Sequence, residues 1–236
     1  MLRTTTLLAL GCLAAFGDPT SATETLNRYL HRNQASCRET DQRMVIEIEA
    51  SLPQLKKQGA MSGLKVISRS GQVAYRFLRF TGDKLVKTDI IVRFLTAEAQ
   101  PPERLGDVGK TLDNYKFHYL RDADYQGVTA QVFQLRPRKK RAGLYKGELW
   151  LDAASAAPLR EAGELVKSPS IFIGSVRFVR EYPEHDPQLA SCGQAERMSI
   201  NVQTRIVGDA DLVVRQRPAG PSDAEDAGDG TDNSAN

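Results

Sequence analysis

Apolar and polar residues alternate with a period of two along most of this chain. That pattern predicts strands, whose successive side chains point to opposite faces of a sheet. Met44, Ile46 and Ile48 alternate with Val45, Glu47 and Glu49. Lys56-Lys57-Gln58-Gly59 punctuates a hairpin into Leu64–Arg69, and Ser70-Gly71-Gln72 turns into Val73–Phe80. The clearest strand is expected over Val86–Leu95, with Val86, Thr88, Ile90, Val92 and Phe94 facing one way and Lys87, Asp89 and Arg93 the other. Further strands are expected at Tyr115–Arg121, Gly127–Arg136, Leu144–Asp152, Leu159–Lys167, Ile173–Tyr182, Arg197–Val207 and Leu212–Arg217. One helix precedes them, Glu24–Gln34, with Leu26, Tyr29 and Leu30 at helical spacing and Asn27, Arg28, His31 and Arg32 on the wet side. Thr96–Asn114 breaks the alternation with Pro101-Pro102, Gly106 and Gly109 and reads as a long connection. About eleven strands with short connections predict a mainly β (α+β) fold built on one strongly curved antiparallel sheet. The long crossover helices of a doubly wound parallel fold are missing.

Both ends stand apart from this pattern. Residues 1–22 read as an export signal: Arg3 is the charge, Leu7–Phe16 a short apolar run, and Thr20-Ser21-Ala22 a small-residue cleavage site. Gly11-Cys12 offers lipid anchoring at Cys12 as the alternative. Residues 219–236 carry five acids, Asp223, Glu225, Asp226, Asp229 and Asp232, and almost nothing apolar, so a disordered acidic tail is expected. The whole chain of 236 residues has a formal charge of +3, but residues 23–218 hold 31 basic against 23 acidic residues, a charge of +8. The expected organisation is therefore signal, one basic domain and acidic tail. Removal of the signal would leave Cys37 and Cys192 as an even pair, either bridged or as two thiols, in a compartment where disulfides persist. A bridge closing so long a loop is worth roughly 5 kcal/mol in the chain-entropy model.

The chemistry-bearing residues argue by their scarcity. His31 lies on the helix, His118 in a strand and His185 in a Pro-flanked turn, none with a His or Cys partner at metal spacing. No nucleophile elbow, phosphate-cradling glycine loop or zinc-protease helix is present, so no enzyme, no cofactor and no metal are expected. Glu161 and Glu164, like Glu47 and Glu49, read as wet strand positions. The most basic segment, Arg136, Arg138, Lys139, Lys140 and Arg141, is either a solvated hairpin turn or a site for anionic head groups. It has no stacking aromatics beside it, so no nucleic acid is expected. Ile171, Phe172 and Ile173 put three large apolar residues at a turn, as the start of a core strand or as the rim of a cavity.

The segment Gln131-Val132-Phe133-Gln134-Leu135-Arg136-Pro137-Arg138, followed by Tyr145-Lys146-Gly147-Glu148-Leu149-Trp150-Leu151-Asp152 and Pro158-Leu159-Arg160-Glu161, resembles the central hairpins of the periplasmic lipoprotein-carrier superfamily, the LolA/LolB/RseB-like outer-membrane lipoprotein-sorting proteins. The resemblance runs from about Glu24 to Gln216. It implies a half-open β-barrel whose concave face is covered by helices, of which this sequence shows only one, and a periplasmic location. It also implies a monomeric carrier or chaperone that shields a lipoprotein or lipid acyl chain and delivers it to a membrane receptor. An envelope sensor or interaction module binding a membrane protein or anionic component is the alternative. A carrier needs one apolar sheet face, and Tyr75, Phe77, Ile90, Val92, Phe94, Phe133, Leu135, Leu149, Leu151, Val176, Phe178, Ile200 and Val202 supply alternating positions for it. The same residues would look identical in a filled core.

Overall fold

Ten antiparallel strands pair into one sheet in the order β3-β2-β1-β10-β9-β8-β7-β6-β5-β4. They are β1 (Gln42–Leu52), β2 (Lys57–Ile67), β3 (Val73–Gly82), β4 (Tyr115–Tyr125), β5 (Val128–Pro137), β6 (Tyr145–Asp152), β7 (Pro158–Leu165), β8 (Ile173–Glu181), β9 (Glu196–Thr204) and β10 (Asp209–Pro218). This is a computed structural model, and it describes residues 19–35, 41–99, 108–168, 173–183, 194–205, 208–220 and Asp223. The sheet does not close, so β3 and β4 are its edges. Each edge is interrupted by a bulge: β3 at Phe77, whose φ is 54°, and β4 at Leu120, left over between the pairs Tyr119–Phe133 and Arg121–Val132. Bulges of this kind blunt an edge against pairing with another chain.

Two helices cover one face, which is therefore the concave one. The first, α1 (Pro19–Ala35), begins five residues before the expected helix; Ala22 is buried and Ser21 Oγ accepts a hydrogen bond from Gln131 Nε2 at 3.3 Å. Arg28 donates to the carbonyls of Ala153 and Ala154 and fastens α1 to the turn after β6. The second covering element corrects the sequence reading. Val86–Leu95 is not a strand but a helix, a π-helical segment at Val86–Ile91 running into α2 (Val92–Ala99), so the sheet has ten strands and not eleven.

The helix has local causes. Asp83 accepts the N–H of Leu85 at 2.8 Å and caps the first turn, and Asp89 pairs with Arg93 one turn on. Val86, Ile91 and Leu95, spaced five and four apart, are all buried against the sheet, and the Val92 N–H reaches the carbonyl of Lys87 in the i→i−5 pattern. The β-branched run disguises this helix, because its local preference is for strand and only packing against the sheet overrides it. Replacing Asp83 with alanine is expected to lower the denaturation midpoint. An unchanged denaturation midpoint would remove the cap from the account.

A smaller correction concerns the first hairpin. Its turn is Pro53–Leu55 with Lys56 in the left-handed region at φ 52°, and β2 already starts at Lys57. Past β10, Ala219 donates to the carbonyl of Arg43, and Asp223 pairs with Arg217 at 2.8 Å, which holds its carboxyl down to about 2.

Candidate functional site

Directly paired residues on neighbouring antiparallel strands point the same way, so the pairing traces the concave face row by row. One row crosses the whole sheet: Phe80, Met61, Ile48, Val214, Met198, Arg180, Glu161, Leu149, Phe133, Tyr119. It is apolar at both ends and charged in the middle. The apolar ends belong to two core clusters. Under α1, Tyr29 and Leu30 pack with Tyr115, Phe133, Leu135, Tyr145, Leu149 and Leu151. Under the second helix, Val86, Ile91 and Leu95 pack with Ile46, Ile48, Met61, Ile200, Leu212 and Val214. Phe178 of β8 touches both and stands edge-on to Tyr145, ring centroids 4.9 Å apart.

The expected cavity residues divide between these clusters. Phe133, Leu135, Leu149 and Leu151 lie in the α1 half and are sealed there, none more than 2% exposed. Ile200 is buried in the other half, where Tyr75, Val176, Phe178 and Val202 remain only half-buried. Ile90 and Phe94 face the same cluster, but from the helix above the sheet. Phe77 and Val92 do not join: Phe77 sits at the β3 bulge, 52% exposed, and Val92 on the outer side of its helix, 41% exposed. Of the expected rim, Ile173 opens β8 half-buried, its carbonyl taking the Ser168 hydroxyl at 2.5 Å, while Ile171 and Phe172 lie outside the described residues. Cys37 and Cys192 also lie outside them. The basic hairpin splits by role, since Arg138 and Arg141 donate to Leu112 and Asn114 whereas Arg136, Lys139 and Lys140 project into solvent.

The charged middle of the face is what the sequence reading missed. Glu161 is fully buried, not a wet position. Its carboxylate takes Lys110 Nζ, the Tyr182 hydroxyl at 2.8 Å and the Tyr145 hydroxyl at 3.0 Å, with Arg180 Nη1 at 3.8 Å. From Arg180 the chain continues to Glu196 at 3.3 Å, from Glu196 to Gln216 Nε2 at 3.0 Å, and from Gln216 Oε1 to Lys65 at 3.2 Å. Lys65 and the Tyr75 hydroxyl both close on Glu98 at the end of α2. One polar belt thus crosses the concave face from β2 to β7 and fastens α2 at Glu98 and the loop before β4 at Lys110. The available signal was period two: Glu161 shares a face with Leu159, which is fully buried.

Burial pushes the Glu161 carboxyl up, but the charges of Lys110 and Arg180 and the hydrogen bonds from Lys110 and Tyr182 outweigh it and hold the carboxyl at about 2. Burial and the nearby Glu161 charge raise the Tyr145 and Tyr182 hydroxyls. Lys110 is raised despite burial, by Glu161. Glu161 and Lys110 therefore stay charged and Tyr145 and Tyr182 stay neutral across the neutral range, and none of these four is poised to trade a proton near pH 7. The arrangement clamps side chains together. Among the described residues no group of three or more His, Cys, Asp or Glu could hold a metal ion.

No protein-family model matches the chain, and no curated protein matches it in sequence. Among solved structures it is similar to a LolA superfamily protein, NE2245 from Nitrosomonas europaea, at 13% identity over 85% of this chain and 95% of that one, with a TM-score of 0.38. It is also similar to the MucA/MucB complex of Pseudomonas aeruginosa, at 11% identity over 87% and 96% with a TM-score of 0.28. A DUF1329 family protein from Desulfovibrio piger matches at 8% identity over 85% and 94%, with a TM-score of 0.39.

Proposed function

We propose that this chain is a periplasmic carrier that shields an acyl chain of a lipoprotein, or a similar apolar ligand, during transfer toward the outer membrane, without covalent chemistry. The observation that carries the reading is the unequal filling of the concave face. The half under α1 is packed with its own aromatic and aliphatic side chains. The half under the second helix leaves Tyr75, Ile90, Phe94, Val176 and Val202 only partly covered around a buried apolar floor. An acyl chain covering the part-exposed surface of Ile90, Phe94, Val176 and Val202 would gain roughly 0.8 kcal/mol per buried methylene, enough for reversible holding. The export signal expected at residues 1–22 and the resemblance of the hairpins favour the same reading from the sequence.

Native mass spectrometry of protein purified from its own envelope is expected to show co-purifying lipid or lipopeptide. Val202→Asp, which puts a carboxylate on the half-buried wall, should abolish uptake of a fluorescent fatty-acid probe while Leu55→Asp, at an exposed turn, leaves it intact. A ligand-free protein that also ignores the probe would sink the proposal.

A further inference from the structure

A second surface, independent of the concave face, lies at the β5–β6 hairpin. Its tip is bound to the loop before β4: Arg138 donates through Nε to the carbonyl of Leu112 at 2.7 Å and through its backbone N–H to that of Asn114 at 2.8 Å. Arg141 reaches Asn114 Oδ1, and Asn114 Nδ2 in turn holds the carbonyl of Gly109 at 2.8 Å. Val108 lies against the hairpin, because a Cβ on Gly143 would meet its Cγ1 at 2.9 Å. These bonds place Leu112, 55% exposed, and Val108, 39% exposed, beside the exposed cations Arg138, Lys139 and Lys140.

The cations continue onto the outer face of the sheet. Arg136 pairs directly with Lys116 on β4, and Lys146 precedes Gly147, the partner of Leu135, so it shares that face. Lys146 is offset by Glu164 at 3.4 Å, and Asp113 is exposed on the loop. Among the described residues Lys116, Arg136, Lys139 and Lys140 have no ion pair. Loop and hairpin are far apart in sequence, so only the fold brings the exposed leucine and valine to the basic turn.

We infer that this tip docks on an anionic bilayer surface, the cations meeting lipid phosphates and Leu112 and Val108 entering the headgroup region. Basic residues ringing exposed aliphatic ones are what such a surface selects, since each signal alone binds weakly. No helix among the described residues is long and apolar enough to cross a membrane, and the contact proposed is peripheral.

The test is co-sedimentation of the full chain with vesicles of phosphatidylglycerol and phosphatidylcholine in equal parts, against phosphatidylcholine alone. The chain should bind the anionic vesicles and release them as salt rises and the screening length falls from about 10 Å at 0.1 M to about 3 Å at 1 M. The double variant K139E/K140E should weaken binding by at least about 25-fold, about fivefold per cation lost. Leu112→Asp should weaken it without changing net charge by more than one. The variant R79E/R197E, which reverses two exposed cations elsewhere and changes net charge equally, should bind like the parent. Equal binding to neutral and anionic vesicles, binding retained by K139E/K140E, or equal loss in R79E/R197E would each overturn the proposal. Because the probe assay of the concave face reads none of these residues, the two proposals can fail separately.

Discussion

Replacing Glu161 with glutamine should destabilise the fold at pH 7 by about 3–5 kcal/mol, since it removes a fully buried anion and leaves the largely covered Lys110, 20% exposed, beside a neutral partner. For a domain of this size that is a fall of about 10 °C in Tm. Lys110→Ala should cost a similar amount for the mirror reason, because a fully buried carboxylate then keeps two tyrosine hydroxyls and a distant Arg180 but loses its closest cation. The pH dependence has a definite sign. The carboxyl is held at about 2 in the folded chain, below the roughly 4.3 of an unfolded glutamate. Its contribution is therefore complete above about pH 4.5 and is lost as pH falls toward 2. Urea denaturation of parent and Glu161→Gln across this range should show two midpoints far apart at pH 7 that converge in acid. Equal midpoints at pH 7 would mean that the buried carboxylate is not the paired anion described above.

Gly163→Val should be the second severe lesion. Gly163 and Gly147 face each other across β6 and β7, and the missing side chains leave room for the Tyr145 ring to lie across the sheet and reach Glu161. A Cβ on Gly163 would fall 2.5 Å from Tyr145 Cδ2 and 2.8 Å from the carbonyl of Lys146. The ring must leave, and its hydroxyl can no longer bond the carboxylate. Overpacking costs about 1–3 kcal/mol, and the lost hydrogen bond to a buried charge adds about 1.5–3 kcal/mol. Gly127→Val is the comparison: nothing lies within 4 Å of its Cβ, so only the strain of its φ of 83° remains. If both variants unfold at the same denaturant concentration, the close approach of Tyr145 is not what makes Gly163 necessary. Tryptophan fluorescence from Trp150, on the outer face between Arg121 and Arg160, reports both transitions.

The alternating pattern was sufficient for nearly all of the sheet because each strand buries one face, and burial writes a period of two into the sequence. Nine of the expected strands after the first agree with β2–β10 in place, though their ends move by several residues. Val86–Leu95 failed because β-branched residues at Val86, Thr88, Ile90 and Val92 imitate that period, while the helical signal, Asp83 followed by Val86, Ile91 and Leu95, is spread over a π-helical insertion. The site was legible in the same uneven way. Val176, Phe178, Ile200 and Val202 alternate visibly, so their place on the concave face could be read from sequence.

What the sequence by itself determined is the β architecture, the basic body between unlike ends, and which strand positions are apolar. These follow from local alternation and composition, which need no knowledge of partners. Only the tertiary structure decided that a second helix covers the sheet, that Glu161 is a buried anion, and that Leu112 stands beside Lys139 and Lys140. Each of those depends on residues distant in the chain: Glu161 on Lys110, Tyr145, Arg180 and Tyr182, and Leu112 on Arg138. A carboxylate has one composition whether wet or buried, and the charges that fold around it set which it becomes.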